Sequence, residues 1–199
     1  MLCVALANCK RELVTYNISN MKKIILHIAS SLDQRIAEPD GSLEWLTGFP
    51  NPNKTNSEYN DLLALVDTVL IGGRAYHELL NMEVIWPYRE QITYVISRND
   101  WGTNEKLHFI TENIVENISA LRNGQGKDIL LVGGGKLTSI LLAADLIDEM
   151  YITYIPVILG EGIPLFPKQP KESKWELIEH KSYCSDIMMV KYRKKEELL

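Results

Sequence analysis

The stretches VLIGGRAY (residues 69–76) and LLVGGGKLT (residues 130–138) decide how this chain folds. Each is an apolar run of strand character that ends on glycines and passes at once to a cationic residue. Runs of Val, Ile and Leu without polar alternation suit strands covered on both faces, as in parallel sheets. The second stretch leads into a helical pattern, with Leu137, Ile140, Leu141 and Ala144 at i, i+3, i+4 and i+7.

The same grammar extends outward in both directions. Strand-like runs are expected at Lys23–Ser30, Thr68–Ile71, Gln91–Ser97, Leu107–Ile110, Asp128–Val132 and Glu149–Leu159. Helices are expected from Asn56 or Ser57 to Asp67, over Ala75–Leu80, over Asn113–Arg122 and from Lys136 to Ala144. Two further β runs, Trp175–Ser182 and Ser185–Tyr192, close the chain. Strands alternating with short helices, then a β-rich finish, indicate an α/β fold with a mixed sheet. We expect a single domain over residues 21–195. Residues 1–20 read as an N-terminal extension of unknown role, because MKKIILHIA from Met21 resembles a native start.

Composition narrows the function. A net charge of −5 and a pI near 5.4 argue against general binding to nucleic acid. Three scattered cysteines form no C-x-x-C pair and the four histidines show no ligand spacing, so no metal site is expected and a reducing cytoplasm is the default. No stretch approaches the roughly 18 apolar residues of a membrane span.

Glycine at a strand end lets the backbone approach a ligand, and the first N–H groups of the following helix are unsatisfied donors backed by the helix dipole. Gly133, Gly134 and Gly135 before Lys136 therefore suit a phosphate, or equally a tight turn needing positive φ. Gly73 with Arg74 repeats the arrangement and supplies a guanidinium fork. Ser97 and Arg98 are a third instance, leaving the end of QITYVIS. Three such sites on one sheet point to a phosphate-rich ligand at the carboxyl ends of the strands. His27, inside an apolar run, reads as a core residue. Trp45 reads as a pocket wall or as core. Candidate acids are Asp33, Asp40, Glu44 and Glu58.

Taken in order, SLDQRIA (31–37), DGSLEWL (40–46), VLIGGRAYHELL, YVISR (94–98), LLVGGGKLTSILL and LIDEMYITYIPVILGEGIPLF (146–166) resemble the dihydrofolate reductase-like superfamily. The closer likeness is to the branch holding the reductase domain of bacterial riboflavin biosynthesis. The resemblance implies a mostly parallel central sheet flanked by helices, with NADPH across the strand ends. It places Gly73 and Arg74 at the cofactor phosphates, Ser97 and Arg98 near the adenosine 2′-phosphate, and Gly133, Gly134, Gly135 and Lys136 at the pyrophosphate. It sets Asp33 near the substrate and Glu58 where folate reductases keep a pterin-binding carboxylate. It also implies a homodimer through the C-terminal β region. The expected activity is NADPH-dependent hydride transfer to a small pterin-like, pyrimidine-like or carbonyl substrate. The alternatives are a true dihydrofolate reductase or a non-catalytic nucleotide-binding module. Two positions depart from the branch: Gln34 stands where it has glycine, and Val132 where it commonly has glutamate.

Overall fold

The computed structural model describes residues 21–47, 49, 53–81, 86–167, 172–183 and 186–195; for Thr47 and residues 53–57 it describes the backbone alone. The expected extension 1–20 lies outside the described residues. In chain order the elements are β1 (Ile24–Ser31), β2 (Arg35–Ala37), α1 (Glu44–Thr47), α2 (Asn53–Leu65), β3 (Val66–Gly72), α3 (Gly73–Asn81), β4 (Ile92–Ile96), β5 (Leu107–Ile110), α4 (Ile114–Asn123), β6 (Asp128–Gly133), α5 (Gly135–Ala143), β7 (Glu149–Ile155), β8 (Ile163–Pro164), β9 (Trp175–Ser182) and β10 (Met188–Lys194).

Eight strands form one sheet in the order β5-β4-β3-β6-β1-β7-β10-β9, and β2 pairs with β8 in a small second sheet. Every pairing from β5 across to β7 is parallel, and β10 runs antiparallel to both of its neighbours. This is the expected α/β architecture with a mostly parallel sheet. The central strands are apolar on both faces because both are covered. Ile24, Leu26, Leu70, Ile129 and Leu131 pack with Ile118 of α4 and Leu137 and Leu141 of α5. Ile25, Val69 and Leu130 pack with Leu62 of α2, and Ile71 and Val95 with Tyr76 of α3.

Several boundaries differ from expectation. The strand expected to reach Leu159 stops at Ile155, because Pro156 has no N–H for the ladder. Helix α2 starts at Asn53 and ends at Leu65, and α5 starts at Gly135 rather than Lys136. The short β2 and β8 carry too few residues to show a periodicity, and sequence reading missed them.

The small sheet is nevertheless locked to the large one. A β-carbon at Gly135 would sit 2.9 Å from the Pro164 carbonyl oxygen and 3.5 Å from Ile36 Cδ1. Gly135→Ala is therefore expected to cost about 1–3 kcal/mol by overpacking. Urea unfolding should show a lowered midpoint with an unchanged m-value.

Candidate active site

Parallel pairing brings three strand ends level. Gly72 pairs with Ile96 across β3–β4, and Ile71 pairs with Gly133 across β3–β6. The glycines then meet: a β-carbon at Gly72 would lie 3.4 Å from the Gly133 carbonyl oxygen, and one at Gly73 would lie 3.2 Å from Ser97 Cβ. Gly73 opens α3, and Ser97 follows β4, its hydroxyl accepting from the Asn99 N–H at 3.1 Å. Gly133 (φ +99°) and Gly134 (φ +29°) make the turn into α5. Nothing lies within 4 Å of a β-carbon placed on Gly134, and no side chain caps the helix there. The first amide donors of α5 thus face a clear approach.

The two arginines of the expected set are placed differently. The Arg74 guanidinium lies against Gly41, and its Nη2 donates to the Asp40 carbonyl at 3.2 Å. Arg98 is exposed at the strand edge, with no partner among the described residues. Lys136 is exposed in the first turn of α5. Gly135 opens α5, and the Pro164 carbonyl oxygen stands where its β-carbon would be, so its lack of a side chain also serves packing.

Below this edge, on the face carrying α2, lies a cleft of about 610 Å³. The sheet supplies its floor: His27 and Ala29 of β1, Val132 of β6, Tyr151, Thr153 and Ile155 of β7, and Met189 and Lys191 of β10. Helix α2 supplies Glu58, Tyr59, Leu62 and Leu65, and the segment around α1 adds Leu43, Leu46 and Phe49. Val132 precedes Gly133 directly, so the cleft begins where the glycine edge ends. Trp45 is core, packed with Ile155 and Ile187.

The two expected acids have other work. Asp33 Oδ1 accepts from the Ser31 hydroxyl at 2.6 Å and the Leu159 N–H at 3.1 Å, and Oδ2 accepts from the Gly160 N–H at 2.8 Å. The Ser31 hydroxyl above all, then the two amides, hold its carboxyl at about 2 against an ordinary 3.8. These bonds pin the 159–160 loop to the turn after β1. Glu58 does reach the cleft, but Oε1 accepts from Lys181 Nζ at 2.7 Å and Oε2 accepts a short hydrogen bond from the Tyr183 hydroxyl. Of the remaining candidates, Asp40 accepts from the Ser42 N–H and Glu44 opens α1.

A line of charge continues from Glu58. Lys181 bonds Glu179 Oε1 at 2.8 Å, and Lys191 bonds Oε2 at 2.6 Å. Lys191 Nζ stands 4.9 Å over the Tyr151 ring, and the Tyr151 hydroxyl donates to Glu149. Glu179 and then Glu58 raise the Lys181 ammonium above its usual range, while the two lysines hold Glu179 at about 2.

Sequence reading missed His27 as a site residue. Its ring lies 5.0 Å from that of Tyr59, and it faces the cleft, not the core. Burial first, and the Lys191 charge second, lower its pKa to about 4. One signal for it was available: in a strand, His27 shares a face with the small Ala29 and not with Leu26 or Ile28.

The profile of the RibD C-terminal domain matches residues 22–189. The uncharacterised protein YwjB of Bacillus subtilis (strain 168) is 36% identical over 169 residues, covering 84% of this chain and 96% of that protein. The crystal structure of a putative riboflavin biosynthesis protein from Shewanella sp. PV-4 is 30% identical, with a TM-score of 0.78, over 87% of this chain and 99% of that one. Dihydrofolate reductase from Enterococcus faecalis, complexed with NADP(H), shares the fold at a TM-score of 0.62 and 17% identity, over 87% of this chain and 97% of that one.

The Asp33 carboxyl has a folded pKa below its unfolded value, so its contribution to stability is present above about pH 4. That contribution is lost as pH falls toward about 2. Asp33→Asn should flatten the acid limb of the stability–pH profile between those values, measured by urea midpoints. An unchanged limb would count against the carboxylate as the loop's pin.

Proposed function

The chain belongs to the RibD C-terminal domain family, and from that premise we propose that it is an NADPH-dependent reductase delivering a hydride to a small heterocyclic or carbonyl substrate. The observation that carries this reading is the joining of the strand-end glycines to an apolar cleft through Val132 and Gly133. A dinucleotide laid along such an edge would put its reactive end at the mouth of the cleft.

The residues present fit that cofactor. Gly134 and the opening amides of α5 would take the pyrophosphate, and Gly73, packed against Ser97, would bring the start of α3 close to it. Arg98, exposed and unpaired among the described residues, would take a 2′-phosphate. When bound, the dihydronicotinamide would supply the hydride. The protein's own part is to hold the acceptor flat against the sheet, screened by Leu43, Leu46, Phe49 and Leu62, so that few waters compete. Glu58, with both oxygens engaged, is poorly placed to bind a protonated pterin, which weighs against a true dihydrofolate reductase. A homodimer is the assembly we favour, since the edge strand β9 leaves Leu177 and Ile178 exposed and a second copy would cover them.

Calorimetric titration tests the cofactor. NADPH should bind at least about tenfold more tightly than NADH, a gap of about 1.4 kcal/mol. Arg98→Ala should remove most of that gap while leaving NADH affinity unchanged. Failure of both nucleotides to bind would make the glycines simple turns and sink the reading.

A further inference from the structure

The cleft's own chemistry restricts what can enter it, an argument that rests on the reductase reading above and narrows its substrate. A cationic acceptor would need a carboxylate, yet Glu58 is closed by Lys181 and Tyr183, and both oxygens of Glu179 are closed by lysines. An anionic acceptor would need a free cation, yet of the cleft's cations among the described residues Lys181 bridges Glu58 and Glu179, and Lys191 is bound to Glu179 above the Tyr151 ring. Asp61 is exposed at the rim, in water. Opening either ion pair for a charged guest would leave a partly buried partner unsatisfied.

Two polar side chains inside the cleft remain uncommitted. The Tyr59 hydroxyl donates to Tyr88 at 3.0 Å, and the Tyr151 hydroxyl donates to Glu149 at 2.9 Å. The His27 ring nitrogens and the Thr153 hydroxyl have no hydrogen-bond partner among the described residues. The register puts them together on one face: His27 pairs with Tyr151 and Ala29 with Thr153, so Thr153 is one pleat above His27 on the adjoining strand. Burial and Lys191 keep the imidazole neutral, with one nitrogen donating and one accepting.

The geometry points to an uncharged, planar carbonyl acceptor of the quinone class, held by hydrogen bonds from His27 and Thr153 between the sheet and α2. Val132, where the branch commonly has glutamate, leaves that wall without a negative charge to repel a carbonyl oxygen. In the reaction the quinone gains a hydride from NADPH and a proton from water, leaving the hydroquinone and NADP+. The size of the cleft suits a single ring or a fused pair.

Duroquinone is the probe, because its fully substituted ring cannot alkylate cysteine. Its binding to the full chain, without nucleotide, is measured by ligand-observed NMR beside dihydrofolate, which carries two carboxylates. Duroquinone should bind more tightly than dihydrofolate. His27→Phe should weaken it about tenfold and Thr153→Val about threefold, as loss of a buried hydrogen bond implies. His27→Asn, which keeps a donor, should recover most of the loss and guards against a variant that merely misfolds. Equal affinity in wild type and His27→Phe, or tighter dihydrofolate binding, overturns the assignment. Because this readout needs no cofactor, duroquinone binding without any NADPH binding would leave the site standing and reject the reductase reading alone.

Discussion

The carboxyl edge of the sheet depends on one backbone constraint: β6 must leave the sheet through a left-handed residue. Gly133 sits at φ +99°, and a β-carbon there would also approach Ile28 Cδ1 to 3.0 Å. An L-residue at this point would suffer both the torsional penalty and the contact. With glycine there, α5 begins two residues beyond the strand, without a side-chain cap on its first amides. The neighbouring glycines follow from the same closeness, since Gly72 abuts Gly133 and Gly73 abuts Ser97. An edge assembled this way is almost all backbone.

That origin explains what sequence could reveal. Backbone demands are written in residue identity at the place where they act, so GGR and GGGK disclosed the edge, and the apolar runs before them disclosed a sheet covered on both faces. The small sheet of β2 and β8 was not legible, because its strands are set by tertiary contact with Gly135 and not by periodicity. The cleft was legible only in part. Glu58 was found as a carboxylate near the substrate region, but its neutralisation by Lys181 and Tyr183 comes from positions more than a hundred residues away. Asp33 was found by its motif, but the Leu159 and Gly160 amides that bond its carboxyl come from a stretch more than a hundred residues away. His27 was read as core because α2, though it covers that face, stands off far enough to leave a cleft, and the small Ala29 beside it was the one trace of this in the sequence.

The charged line from Glu58 through Lys181, Glu179 and Lys191 to Tyr151 and Glu149 reaches three strands and α2. Each exposed pair in it contributes little to stability. Its larger effect is on the cleft wall, where, among the described residues, every cation has an anion in contact and the field felt by a guest is small. The apolar residues around it then decide affinity, and the two uncommitted polar groups decide orientation.

The reversed strand β10 has a consequence for how the protein comes into being. By the time synthesis reaches α5, the chain holds every residue of the glycine edge, and β1, β3, β4 and β6 can pair. The far wall of the cleft waits on Lys181, Met189 and Lys191, which reach their places only after the last hairpin has left the ribosome and docked against β7. A nascent chain would thus carry a finished glycine edge beside an open, apolar half-cleft. During that interval β7 is a bare sheet edge, exposed to other chains, and the hairpin that completes the site is also what shields it.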